Sequence, residues 1–145
     1  MLTFAKYICF LFIGLILAFI SIELESDFLY DFHESNLVII LITLFAINAS
    51  TITLVLSKLK DLGNEKKFDF HESFQEIKCS ITEQVILICL AILFSILAQS
   101  TLIEANFEYN ASFFLTLNSA ILISAIYILK DTANSLLIVL GNKDD

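Results

Sequence analysis

Proline and tryptophan are absent from the 145 residues, glycine occurs three times, and every basic residue is a lysine. With no Gly- or Pro-rich stretch there is no linker to divide the chain, so a single helical domain over residues 1–145 is expected. Charge is also scarce: 17% of residues are charged and 58% are hydrophobic, with a mean hydropathy of +0.86. A soluble domain this short covers one core with charge, and this chain is too apolar for that. The net charge of −8 argues against a nucleic-acid partner, which needs a basic face. Three cysteines do not make a disulfide framework. Cys9 and Cys89 fall in apolar runs and Cys79 in a lysine-rich loop expected in the reducing cytosol, so buried or inert thiols are the reading.

Patterns that carry chemistry are missing too. There is no HExxH, no GxSxG and no phosphate loop. No ionisable side chain is expected in the middle of an apolar span; Glu83 and Lys130 stand at edges, and both histidines lie outside. Proton-coupled transport generally needs such a group at depth. The expectation is therefore a protein that is not an enzyme and holds no cofactor or metal, with a small transporter or a lipid-modifying enzyme disfavoured.

What the chain does contain is long apolar runs. Leu37 to Leu56 is 20 residues without charge, close to the length that crosses roughly 30 Å of hydrocarbon as a helix. Three similar runs accompany it, giving predicted spans of about 4–22, 37–57, 82–99 and 111–130. The first has a lysine ahead of an apolar stretch, as a signal peptide would. Phe19, Ile20 and Ile22 crowd its end where a cleavage site needs small residues, so an uncleaved helix is expected. Gly14 and Ala18 within it form a small-xxx-small pair that admits a close neighbour.

Lysine placement predicts orientation. All eight fall in the N-terminus, in the loop of about 58–81, or towards the C-terminus, with Lys130 at the edge of the last span ahead of the tail 131–145, while the acidic connectors 23–36 and 99–110 have none. Basic residues near spans stay cytoplasmic. The predicted fold is an all-α membrane protein with four transmembrane helices, both termini cytoplasmic, arranged as an antiparallel bundle with a small cytosolic helical extension. Gly63-Asn64 predicts a helix stop, and Gly141 another. The run Leu136 to Leu140 is too short to span and is expected to prolong the fourth helix.

Three constellations are candidate functional features. The first is a stripe of small and hydroxylated residues along the second span: Thr43, Ala46, Ser50, Thr53 and Ser57. It has two readings, helix packing or the lining of a pore between copies, to which Asn48, Thr116 and Asn118 would add polarity. The second is an apolar set, Phe70, Phe74 and Ile77 with Leu136, Leu137 and Leu140, at helical spacing outside the bilayer. It forms a closed cytosolic layer or docks a soluble protein partner. The third is a repeat: Asp31-Phe32-His33-Glu34-Ser35 returns as Asp69-Phe70-His71-Glu72-Ser73. Asp31 and Glu34, like Asp69 and Glu72, have capping-box spacing ahead of a helix, and the two copies are expected on opposite sides of the membrane.

In size, topology and Ile/Phe/Lys/Asn-rich composition the chain resembles several unrelated groups of small bacterial inner-membrane proteins. These include bacteriocin-immunity proteins and membrane components of anti-phage systems; no motif carries the resemblance. It implies an inner-membrane location with lipid as the immediate partner. The leading expectation is a homo-oligomeric membrane anchor, sensor or gated pore that meets a cytosolic protein through the 58–81 loop and the tail. The alternative is an immunity-type protein that binds a toxin or membrane partner within the bilayer.

Overall fold

The computed structural model describes the backbone of residues 2–65, 71–100 and 110–141, and the side chains of residues 5–58, 75–100 and 112–137. Four helices account for nearly all of it: α1 (Leu2–Glu23), α2 (Phe28–Glu65), α3 (His71–Ala98) and α4 (Asn110–Gly141). Each contains a segment long and apolar enough to cross a membrane: Ala5–Glu23, Phe28–Lys58, Gln75–Ala98 and Ser112–Leu137. At 1.5 Å per residue the 38 residues of α2 reach about 57 Å, well beyond the roughly 30 Å of a hydrocarbon core. Large apolar side chains cover the outside, among them Phe12, Leu15 and Phe19 on α1 and Ile39, Ile86 and Ile96 on α2 and α3. A soluble monomer rarely exposes so continuous an apolar surface. A lipid-facing one must.

The helices begin and end differently from the sequence reading in three places. The acidic connector is four residues long, Leu24 to Asp27, because α2 starts at Phe28. A Schellman-type turn closes α1: the Ser26 N–H donates to the Ser21 carbonyl at 2.9 Å and the Glu25 N–H to that of Ile22 at 3.0 Å. Glu25 takes the left-handed conformation that such a turn requires, with φ of 48°. The Ser26 hydroxyl then accepts the Phe28 N–H at 3.4 Å. Asp31 and Glu34 are consequently not caps. The Asp31 N–H already bonds the Asp27 carbonyl at 2.9 Å, so Asp31 lies inside the first turns of α2, exposed, where its charge still suits the helix dipole. Of the second pair, Asp69 lies outside the described residues, and Glu72 is in α3 with its side chain undescribed.

The second difference follows from the first. His33 is not in a connector but within α2, buried to 4% exposure. The third is at Gly63-Asn64, which α2 passes through to Glu65. A glycine inside a helix costs only about 1 kcal/mol, too little to stop a helix by itself. At the other predicted stop, α4 runs through Leu136–Leu140 and its last described residue is Gly141.

The helix arrangement is uneven. α4 packs on all three others, whereas α1 leans on α4 and only grazes α2. The central apolar cluster joins Leu37 and Leu41 of α2, Leu87 and Ala91 of α3, and Ile121, Ala125 and Ile128 of α4. On the far side of α4, α1 inserts Gly14 and Ala18, both buried. A Cβ on Gly14 would stand 2.5 Å from the Thr116 carbonyl oxygen and 3.0 Å from the Ala120 nitrogen. The two backbones are therefore as close as a hydrogen atom on Cα allows.

Candidate functional site

Among the described residues, six polar side chains are buried inside this apolar assembly: His33, Asn48, Gln84, Asn118, Ser119 and Ser124. Each needs a partner, since in a dry interior an unmet donor or acceptor costs on the order of 1–3 kcal/mol. Near the start of α2, His33 Nε2 shares a hydrogen bond with Ser119 Oγ of α4 at 2.9 Å. Further along α2, Asn48 is fully enclosed, and its Nδ2 donates to Gln84 Oε1 of α3 at 2.8 Å and to Ser80 Oγ at 3.5 Å. Ser124 donates to the Ala120 carbonyl at 2.8 Å. His33 Nδ1, Asn48 Oδ1, Gln84 Nε2 and Asn118 Oδ1 have no protein partner among the described residues. Leu37 and Leu41 lie along α2 between His33 and Asn48 and belong to the apolar cluster. The two polar contacts are thus separated by a plug of hydrocarbon, not joined by a polar channel.

Beyond the Asn48–Gln84 pair the bundle opens. A cavity of about 610 Å³ lies between the beginnings of α1 and α3, the later part of α2 and the second half of α4. It forms because α1 and α3 each lean on α4 without closing on each other. Ile52, Val55, Ile77 and Ile128 make apolar wall; Ser80 and Ser124 bring hydroxyls. Ser80 is also the neighbour of Asn48 Nδ2, so the buried amide pair is one hydroxyl removed from the cavity. Among the described residues, the charged side chains lining it are Lys6, Glu76, Glu83 and Asp131. Lys6 Nζ sits 4.9 Å over the Tyr127 ring, and that ring packs on Phe10 at 5.3 Å. Among the described residues, no three His, Cys, Asp or Glu side chains come together as a metal-binding group.

The sequence-predicted residues fall in other places. Thr43, Ala46, Ser50, Thr53 and Ser57 are all exposed, on the side of α2 turned away from α3 and α4. Their hydroxyls are satisfied locally: Thr43 donates to Ile39, Ser50 to Ala46 and Thr53 to Ala49, each at 2.8–2.9 Å. Among the described residues, the stripe packs against nothing within this chain. Asn48 and Asn118 are buried in the bundle, and Thr116 donates to the Ser112 carbonyl. Of the apolar docking set, Ile77 is half-buried at the cavity, Leu136 is half-buried and Leu137 is exposed. Phe70 lies outside the described residues, as do the side chains of Phe74 and Leu140. All three cysteines are free and exposed; Cys79 is at the cavity.

Sequence reasoning missed the Lys6, Tyr127, Glu83 and Asp131 grouping. Three helices contribute to it, α1, α3 and α4, and along the chain only Tyr127 and Asp131, four apart on α4, are linked by spacing. The Asn48–Gln84 contact left one trace. Leu37, Leu41, Asn48, Ile52 and Val55 recur at steps of four, seven, four and three on α2, opposite the stripe. No family model, curated protein or solved structure matches the chain.

Proposed function

We propose that this chain is a non-enzymatic integral protein of a bacterial inner membrane that self-associates through α2. It acts as a membrane anchor, sensor or gated pore coupled to a cytosolic partner. The observation that carries the reading is the hydroxyl stripe. It is a continuous row of small side chains, exposed and unused by packing among the described residues, with the Thr43, Ser50 and Thr53 hydroxyls already satisfied by carbonyls four residues back. Such a row lets a second helix approach closely without stranding a polar group in lipid. Any pore would lie between copies, because hydrocarbon separates the polar contacts inside one.

An antiparallel arrangement with both termini cytoplasmic fits the contacts. Glu34 near the start of α2 meets Gln99 just beyond α3, while Asn48 meets Gln84. Gly14 meets Thr116 and Ala120, while Phe10 meets Tyr127. The 58–81 segment, expected as a loop but taken up by the end of α2 to Glu65 and the start of α3 from His71, and the tail then share the lysine-rich side and would present Leu137 to a soluble protein.

The test is the mass of the purified chain in nanodiscs, with ion and dye flux from liposomes holding the same sample. A defined oligomer that Ser50→Leu with Thr53→Leu dissociates supports packing through the stripe. An oligomer that persists but loses conductance supports a pore. A tight monomer would overturn self-association and favour an immunity-type protein that offers the stripe to a different membrane partner.

A further inference from the structure

We infer that the cavity at the Lys6 end is a binding site for an amphiphilic organic cation, a hydrophobic body bearing an ammonium- or phosphonium-type charge. The inference goes beyond self-association and does not depend on it. About 610 Å³ is within the roughly 300–1,000 Å³ range of small-molecule sites. The walls Ile52, Val55, Ile77 and Ile128 suit an apolar body, and the charged side chains set the sign of its head. Among the described residues, three carboxylates, Glu76, Glu83 and Asp131, line it with one lysine. An anionic headgroup would meet net repulsion there; a cation would not.

The protein's own ammonium marks the spot. Lys6 Nζ stands over the Tyr127 ring at 4.9 Å, in the cation–π position, and lies within electrostatic reach of Glu83 and Asp131. Lys6 belongs to the first turns of α1 and is exposed on a long flexible stem, so it can swing out as a ligand enters. Tyr127 is held in place by Phe10. A ligand cation would take the place of Lys6 over Tyr127, while its body fills the apolar wall. Lys6 is then a tethered competitor, and the acids are attractors. This gives the charges opposite roles that a single titration can separate.

The experiment uses the full chain in phosphatidylcholine nanodiscs, titrated with tetraphenylphosphonium and with tetraphenylborate, an anion of nearly the same shape. Empty nanodiscs supply the correction for partition into lipid. Saturable binding of the phosphonium, one per chain, with none of the borate, is the expected result. Glu83→Gln and Asp131→Asn should each weaken it about three- to tenfold, and Lys6→Gln should tighten it about threefold, magnitudes usual for one charge near a partly desolvated cation. Asp131 is exposed, so its variant keeps the test valid if Glu83→Gln loses its helical circular dichroism. Equal binding of the two probes, partition without saturation, or an unchanged Asp131→Asn titration would overturn the site. Weaker binding by Lys6→Gln would overturn the competitor role.

Discussion

α1 and α4 are both apolar helices able to cross a membrane, yet they occupy opposite positions. In an 18-residue apolar stretch of α4, 44% of residues are buried, against 17% in the corresponding stretch of α1. Their difference lies in small and polar residues. α4 carries Asn118, Ser119, Ala120, Ser124 and Ala125 in one stretch, all buried. Among its described side chains α1 has only Gly14 and Ala18 fully buried, with Phe10 half-buried against Tyr127, and most of the rest face outward. In water, greasiness marks the inside of a protein; in lipid both sides are greasy. Smallness and polarity take over as markers, because close backbone approach and internal hydrogen bonds are what helix association in a bilayer rests on.

The sharpest way to break this contrast is at the single point where α1 penetrates α4. Gly14→Leu would drive side-chain atoms into the Thr116 carbonyl and the Ala120 nitrogen, backbone atoms that cannot move aside. A loss of about 3 kcal/mol or more is expected, beyond ordinary overpacking. Unfolding in a detergent–SDS titration would show it, and Gly14→Ala should already lower the midpoint. A Gly14→Ala midpoint equal to that of the parent chain would mean that α1 does not dock so closely.

A smaller effect is expected at the buried amides. Asn48→Leu or Gln84→Leu alone leaves the other amide without its partner and should cost about 1–2 kcal/mol. The double variant should cost less than the sum, with a coupling of about 1 kcal/mol. Strict additivity in the same titration would show that the two amides do not interact. Ser119→Ala, which removes the partner of His33 Nε2, should cost about 0.6 kcal/mol, the usual size of an interhelical hydrogen bond in a membrane. A cost near zero would place that histidine's bond elsewhere.

The smallest effect sharpens the comparison from the other side. Phe12→Leu on the outer face of α1, and Thr53→Leu on the exposed stripe of α2, should leave the stability of a single chain within about 0.5 kcal/mol. Any change in assembly should then appear with Thr53→Leu alone. A shift in chain stability with Thr53→Leu would mean that the stripe does serve the fold of one copy.

Much of the architecture was legible beforehand. The four apolar runs are spans by length, and the Gly14/Ala18 pair pointed to the close contact with α4 that is present. Boundaries were less legible. Asp31 and Glu34 have capping-box spacing, but spacing does not say whether an earlier pair of residues has already started the helix, as Ser26 and Asp27 have. His33 followed that displacement into the interior. The inward face of α2 repeats at helical spacing, yet Leu and Ile stand on the outward face too, so the repeat has no contrast to reveal it. The stripe was legible as a feature, while its outward direction was not.

Composition and the length of uncharged runs were enough to define four membrane-length helices, because runs of about 20 apolar residues match the span of a helix, which satisfies its backbone polar groups within its own segment. The lysine distribution added an expected sidedness. Only the packed bundle decided which helix lies at the centre, which polar residues pair, and where space is left. α4 takes the centre because its small residues admit three neighbours. Asn48 finds Gln84 across two helices that a loop separates. The cavity gathers Lys6, Glu83 and the Tyr127–Asp131 turn of α4 from three regions far apart in the chain. These outcomes rest on contacts between helices that are all equally content in hydrocarbon, and such contacts are fixed by fit and hydrogen bonding rather than by solubility.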